Sequence, residues 1–191
     1  MDLTKIGSNL SVWFGNDDTT YLYEREAITC DIIRKFNLLD TNGLDIGCGK
    51  RKSLSTAIGI DLVRGFSEKN CKKRSFIDPE IICNGEQLIF KDETIDWITS
   101  AHNIEHYKNP VGVLNEWLRV LKVGGLISLI IPRPEYCGKI GDPDTDLNHE
   151  HDFTMASFKK DVINKLGHIK IIKLENLLNK WSFICVIEKT K

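Results

Sequence analysis

The stretch that decides the fold runs from Thr41 to Leu62 and reads TNGLDIGCGKRKSLSTAIGIDL. An apolar segment leads into Gly47 and Gly49, and only the eight residues KRKSLSTA separate Gly49 from the next apolar run. Glycines after a strand allow a tight turn and the close approach of a ligand. A helical crossover between parallel strands normally needs roughly ten to twelve residues or more. The spacing therefore predicts strand, turn and strand, with residues 50–57 forming a loop or a single turn.

Acidic residues stand at the ends of both predicted strands, Asp45 after the first and Asp61 after the second. In an open α/β sheet these ends face the ligand crevice, where a carboxylate such as Asp61 can accept both ribose hydroxyls. The dinucleotide fingerprint would need a glycine at the position of Lys52 and an acid about twenty residues beyond the turn. A phosphate-binding loop would need a Gly-Lys-Ser/Thr ending, which this turn lacks. The pattern indicates neither site.

Short apolar runs alternate with helical patterns along the rest of the chain. Continuous apolar runs suit strands covered on both faces, and the alternation predicts a doubly wound, mostly parallel α/β sheet. The predicted strands are GLDIG, AIGIDL, EIICNG, TIDWITSA and LISLIIP, followed by an antiparallel pair in IKIIKLENLLNKWSFICVIEK.

The spacing of apolar residues, together with residues typical of helix ends, predicts three helices. The first lies in EREAITCDIIRKFN, with Thr19 or Thr20 as its cap. The second begins at Asn109, and the pair Gly124–Gly125 is expected to stop it. The third begins at Thr154 and ends at Gly167.

Composition limits the class of partner. A formal net charge of −1 gives no global field toward nucleic acid or anionic membranes. The six cysteines show no CxxC pair, and the apolar run LISLIIP is too short to cross a bilayer. We therefore expect a reduced, cytoplasmic protein that binds neither nucleic acid nor membrane; the sequence leaves its oligomeric state open.

Four further elements follow in a fixed order: GEQLIF, TIDWI, NIEH and RVLKVGG. Together with LDIGCG and GID, they resemble the class I S-adenosylmethionine-dependent methyltransferases, in particular the small type-11-like group. That group contains a short form whose segment after GCG is compressed. The resemblance implies a single methyltransferase domain over residues 1–191. Residues 1–39 would form an extension and a helix, and 40–191 a Rossmann-like core with a reduced first helix and an antiparallel C-terminal edge hairpin.

The resemblance also implies S-adenosyl-L-methionine as cofactor and assigns roles to individual positions. The glycine turn would lie against the methionine part, Asp61 would hold the ribose, and the turn at Asn84 would flank the adenine. Two residues depart from the family pattern, Asn84 in place of an aspartate and Val123 in place of a proline. The residues implied in cofactor binding are Asp45, Gly47, Cys48, Gly49, Asp61, Asn84, Gly85, Glu86, Ala101 and His102.

Methyl transfer is an in-line displacement, so the protein must orient the acceptor and remove a proton from an acceptor hydroxyl. Histidine is the usual base, and the candidates are His102, His106, His149 and His151. We expect O-methylation of a small-molecule or saccharide-type acceptor. N- or C-methylation of a metabolite, and a non-catalytic module that binds the cofactor or S-adenosylhomocysteine, stay open.

Three segments allow alternative interpretations. The loop at residues 142–152, rich in Asp and His, is a catalytic loop, a divalent metal site built on His149 and His151, or a solvated loop that docks Phe153 and caps the next helix. The cations at residues 50–52 form a solvated turn or bind a phosphate on the acceptor. Trp13 and Phe14 pack over the domain edge or act as a lid.

Overall fold

The computed structural model describes residues 17–66, 76–142, 148–178 and 180–191. Trp13 and Phe14, interpreted above as packing over the domain edge or as a lid, lie outside these ranges, as does Cys71. Five of the six cysteines are described, and all five are free thiols. In the described ranges, no helix is both long and apolar enough to cross a membrane.

The described residues form helices α1 to α4 and strands β1 to β9. The helices are α1 (Asp17–Lys35), α2 (Pro110–Val120), α3 (Pro134–Cys137) and α4 (Met155–Asp161). The strands are β1 (Gly43–Ile46), β2 (Ile58–Asp61), β3 (Gly65–Phe66), β4 (Phe76–Ile77), β5 (Ile81–Ile82), β6 (Ile95–Ala101), β7 (Leu121–Pro132), β8 (Ile169–Asn176) and β9 (Ser182–Lys189).

Seven of these strands form one sheet in the order β5-β2-β1-β6-β7-β9-β8, and β3 pairs with β4 separately. The pairs from β5 to β7 are parallel, whereas β9 runs antiparallel to both β7 and β8. Strand order reverses on either side of β1, so the carboxyl ends of β1 and β6 border the crevice where such sheets bind ligands. The predicted doubly wound α/β fold with an antiparallel C-terminal pair is confirmed.

The segment between β1 and β2 contains turns and bends but no helix, which confirms the prediction from its length. Lys52 holds this segment in place. Its Nζ donates to the carbonyl of Ala57 over 2.7 Å and pairs with the Glu80 carboxylate, whose Oε2 accepts from the Gly59 amide over 2.6 Å. Lys52 therefore braces the short crossover against the strands beside it.

Helices cover both faces of the sheet. On one face Ile28 and Ile32 of α1 pack with Trp97 of β6. On the other face Trp117 of α2 and Phe158 of α4 belong to the larger core. All five side chains are at most 1% exposed. The helix that precedes β1 thus covers the sheet on a side where the shortened crossover supplies no helix.

Three predicted helix ends are wrong. Helix α1 begins at Asp17, so Thr19 and Thr20 lie inside it. Helix α2 ends at Val120 because the backbone becomes extended at Leu121; Gly124–Gly125 lie within β7, at a register shift against β6. Helix α4 ends at Asp161, and the residues before Gly167 form a separate 3-10 turn.

Candidate functional site

A pocket of about 200 Å³ opens at the carboxyl ends of β1 and β6. It brings together six of the predicted cofactor residues: Asp45, Gly47, Cys48, Gly49, Ala101 and His102. It is also lined by Lys50 and Arg51, two of the cations singled out above, and by four residues that the sequence did not indicate as site residues: Glu24, Arg25 and Ile28 of α1 and Ser53 of the crossover. Helix α1 therefore forms a wall of the pocket.

The glycine turn has a backbone that other residues rarely adopt. Gly47 has φ of 72°, and a Cβ there would lie 2.5 Å from Cγ of Asn103. Gly49 has φ of 55°, and a Cβ there would meet no described atom within 4 Å. The amides of Gly47 and Cys48 both donate to the carbonyl of Ile60, over 2.8 and 3.1 Å. The turn is thus fixed to β2 while Gly49 faces open space.

Asp45 is a buried carboxylate at the floor of the pocket, 2% exposed. Desolvation raises its pKa to about 6, although hydrogen bonds from Ser53 and from the Thr99 side chain act in the opposite direction. Burial and the neighbouring carboxylates raise the pKa of Cys48 to about 12, so its thiol stays protonated. The pocket therefore combines an acid that titrates near neutrality with an inert thiol.

Asp61 and the turn at Asn84 lie beside this pocket rather than in it. The Asp61 carboxylate accepts from the amides of Gly49 and Leu62, over 3.0 and 2.8 Å. Asn84 Oδ1 accepts from the Glu86 amide over 2.9 Å, and its Nδ2 donates to the Glu86 carboxylate over 3.1 Å. Asn84 and Glu86 line a second, open groove of about 600 Å³. Gly85 is buried next to Tyr107.

His102 directly follows β6 with a strained φ of 50°, and its side chain is 40% exposed. Its Nε2 lies 2.8 Å from Oε2 of Glu24. Because a carboxylate only accepts, Nε2 carries a proton, and in the neutral ring Nδ1 then keeps a lone pair. Ser182 Oγ donates to the other Glu24 oxygen over 2.5 Å. Desolvation lowers the pKa of His102, but the Glu24 hydrogen bond and the charges of Glu24 and Glu105 outweigh it and raise the pKa.

The fold has counterparts among known proteins. A family model described as "Methyltransferase domain" matches residues 44–129, which span β1, the glycine turn, β6 and most of β7. The solved structure of an S-adenosylmethionine-dependent methyltransferase from Aquifex aeolicus superimposes with a TM-score of 0.60 over 100% of both chains, at 15% identity. The chain thus contains a segment that matches a methyltransferase domain, and it shares the fold of a class I methyltransferase.

Two other relatives extend this comparison. A methyltransferase from Thermotoga maritima, titled a possible histamine N-methyltransferase, has a TM-score of 0.61 and 20% identity over 90% of this chain and 89% of its own. An uncharacterized protein of Methanocaldococcus jannaschii is 33% identical over 140 residues, which is 71% of this chain. The alignment spans 64% of the length of that relative. Both solved structures are of S-adenosylmethionine-dependent methyltransferases.

The four histidines predicted as bases occupy three different environments. His102 bonds Glu24, as described above. His106 and His149 both face the buried Glu105 carboxylate. His151 Nε2 donates to the carbonyl of Tyr107 over 3.0 Å, and its ring stacks on Phe153.

The loop at residues 142–152 lies partly outside the described ranges. In its described part, Asp142 accepts from the Lys139 amide and Asp152 from the Ile140 amide. Thr154 caps α4 with a reciprocal bond to Ser157, and Phe153 is buried, as the interpretation of a docking loop expects. His149 and His151 diverge, so a metal site built on both is not supported by their placement.

Sequence reasoning missed Glu24, although a signal was present. Glu24 stands four residues before Ile28 and eight before Ile32, so it continues the buried stripe of α1. An acid on a buried helix face needs a partner. That position was therefore a candidate for a functional carboxylate.

The raised pKa of Asp45 predicts a pH dependence of cofactor binding. A cofactor ammonium placed beside Asp45 would favour the ionised carboxylate, so binding should release the proton that Asp45 holds below about pH 6. We expect affinity for S-adenosylhomocysteine to be constant above pH 7 and to fall about tenfold per pH unit well below pH 6. Calorimetry at pH 5 to 8, in buffers of different ionisation enthalpy, measures both effects.

The matched variant is Asp45→Asn, which should bind more weakly but lose this dependence. His102 also has a raised pKa. His102→Ala is therefore a second comparison, and its affinity should still fall at low pH because Asp45 is unchanged. If the affinity of Asp45→Asn fell at low pH as much as that of the wild type, a group other than Asp45 would cause the pH dependence.

Proposed function

We propose that the chain is an S-adenosylmethionine-dependent methyltransferase that methylates an oxygen of a small-molecule or saccharide-type acceptor. The observation that carries this proposal is the pair of His102 and Glu24 at the pocket that also holds Asp45 and the glycine turn. A base and a cofactor site therefore share one cavity.

The residues of the pocket fit the methionine part of the cofactor. Asp45 offers a carboxylate for the ammonium group, and Arg25 and Lys50 offer cations for the carboxylate. The open space at Gly49 and the left-handed turn allow close approach of a ligand to the backbone. Complementary charge on both sides of a small cavity supports this assignment.

The remaining assignments extend outward from the turn. Asp61 would bind the ribose hydroxyls, and Asn84, Gly85 and Glu86 would flank the adenine along the open groove. Asn84 can still accept from the adenine amino group through Oδ1, because an amide oxygen has two lone pairs. Ala101 would lie under the sulfonium at the end of β6.

When bound, the cofactor supplies a methyl group on a positively charged sulfur. His102 Nδ1 would take the proton from the acceptor hydroxyl as the new oxygen–carbon bond forms. Glu24 holds the imidazole in the tautomer that leaves Nδ1 free to accept, and its charge stabilises the imidazolium. Ser182 in turn fixes Glu24. His106, His149 and His151 have other partners and would act, if at all, on the acceptor side of the rim.

The acceptor class rests on charge. The net charge is −1, so no overall field attracts a polyanionic acceptor. Arg51 is exposed at the edge of the pocket, where it would contact a polar or anionic part of the acceptor. A polynucleotide acceptor would call for a larger basic surface with stacking aromatics.

The test is transfer of a radiolabelled methyl group into a small-molecule extract, with nucleic acid and protein fractions assayed in parallel. We expect label in the small-molecule fraction, on oxygen when the product is identified by mass spectrometry and NMR. Label on nitrogen or carbon would refute the acceptor atom. Cofactor binding without transfer to any fraction would favour a non-catalytic module.

A further inference from the structure

Glu105, His106 and His149 form a cluster that the methyl-transfer chemistry does not use. Glu105 and His106 belong to a 3-10 turn after β6, and His149 comes from the described end of the loop that follows β7. One ligand atom from each residue lies within 4.8 Å of the others. We propose that these three side chains bind a divalent transition-metal ion of the zinc type, separate from the cofactor pocket.

The first argument is the burial of the carboxylate. Glu105 is 1% exposed, and a buried carboxylate is costly unless cationic groups or hydrogen bonds compensate its charge. His106 Nε2 and His149 Nε2 lie 3.8 and 3.9 Å from Oε1 of Glu105. Both separations are within ion-pair range, and they leave room for a small cation between the three ligand atoms.

The second argument is the tautomer of His106. Its Nδ1 lies 3.0 Å from the carbonyl oxygen of Asn148. A carbonyl only accepts, so Nδ1 donates, and in the neutral ring Nε2 then directs a lone pair toward Glu105. A metal-binding histidine commonly donates its other ring nitrogen to a backbone carbonyl in this way. A lone pair facing a carboxylate is favourable only when a cation lies between them.

The third argument is that the loop is held against the cluster. The amides of Glu150 and His151 both donate to the Glu105 carbonyl, over 3.0 and 3.2 Å. The rings of His106 and His149 meet edge to face, with centroids 4.8 Å apart. These contacts fix His149 beside Glu105 without the metal, so the ligand set is largely preformed.

The dimensions fit a metal after a small adjustment. Metal–ligand distances of about 2.0 to 2.2 Å require ligand atoms roughly 3 to 4 Å apart. The imidazoles therefore need to move inward by less than about 1 Å. Two imidazoles and one carboxylate suit zinc and related ions, and three protein ligands leave one position open. The His106 and His149 side chains are 23% and 13% exposed, so that position can be reached from solvent.

Cobalt(II) and zinc(II) are the probes that test this site, with untagged protein stripped of metal beforehand. We expect one equivalent of cobalt(II), visible absorption bands of a low-coordinate site, and displacement by zinc(II). His149→Ala should weaken binding by about 100-fold or more, because a lost ligand costs at least as much as a lost second-shell partner. His168→Asn changes the fifth histidine, which is exposed and outside the cluster, and should bind like the wild type.

Zinc(II) should also raise the melting temperature of the wild type and of His168→Asn but not of His149→Ala. Glu105→Gln provides a second ligand variant, and circular dichroism verifies the folding of each. The proposal is overturned if the wild type binds neither ion stoichiometrically, or if His149→Ala binds as tightly as the wild type. In that case a protonated imidazole compensates Glu105.

Discussion

His102→Ala is expected to lower methyl transfer by about 10²- to 10⁴-fold, the contribution typical of a positioned general base. Affinity for S-adenosylhomocysteine should change only a few-fold, because Asp45, the glycine turn and Asp61 do not depend on the imidazole. Labelled methyl transfer measures the first quantity and calorimetry the second.

The pH profile distinguishes a base from a residue that merely shapes the pocket. Transfer should rise with pH through the raised pKa of His102, since only the neutral imidazole accepts a proton. Glu24→Gln removes the charge that raises this pKa, so its profile should shift to lower pH with a reduced maximum. His168→Asn is the control and should match the wild type. Full activity of His102→Ala would disprove its role as the base.

Asp61→Ala is expected to weaken S-adenosylhomocysteine binding by about 10- to 100-fold, as for the loss of a charged hydrogen bond worth about 1.5 to 3 kcal/mol. The side chain lies at the end of β2 and also accepts from the Gly49 amide over 3.0 Å. The variant thus loses both a ribose partner and a brace of the turn. Calorimetric titration gives the affinity, and circular dichroism verifies the fold.

Asp161→Asn is the matched control for that variant, because Asp161 is exposed at the end of α4, far along the chain from the site. It should bind like the wild type. Equal affinity of Asp61→Ala and Asp161→Asn would remove Asp61 from the cofactor site.

The fold could be predicted because its signals are local in sequence. LDIGCG and GID place a strand, a turn and a strand within 22 residues, and the short gap excludes a helix by length alone. The structure confirms both features, and Asp45, Gly47 and Gly49 meet in one pocket as expected. Helix ends were predicted less well. At Gly124–Gly125, a glycine pair that resembles a stop signal lies inside β7 at a register shift.

The rest of the site could not be predicted because it depends on pairs far apart in sequence. Glu24 meets His102 across 78 residues, and Lys52 meets Glu80 across 28. Glu105 lies after β6, and His149 lies beside it only because the loop after β7 is at the same edge of the sheet. Neither partner of such a pair reveals the other in the sequence. The aspartate- and histidine-rich loop suggested His149 with His151, whereas the structure pairs His149 with Glu105 and His106.

The measurement that tests the central claim most directly is calorimetric titration of the wild-type chain with S-adenosylmethionine and with S-adenosylhomocysteine at pH 7.5. The pocket at Asp45 and Gly49, with Asp61 beside it, predicts one site per chain, affinity in the micromolar range, and competition between the two ligands. Binding of neither ligand by folded protein would contradict the proposed activity.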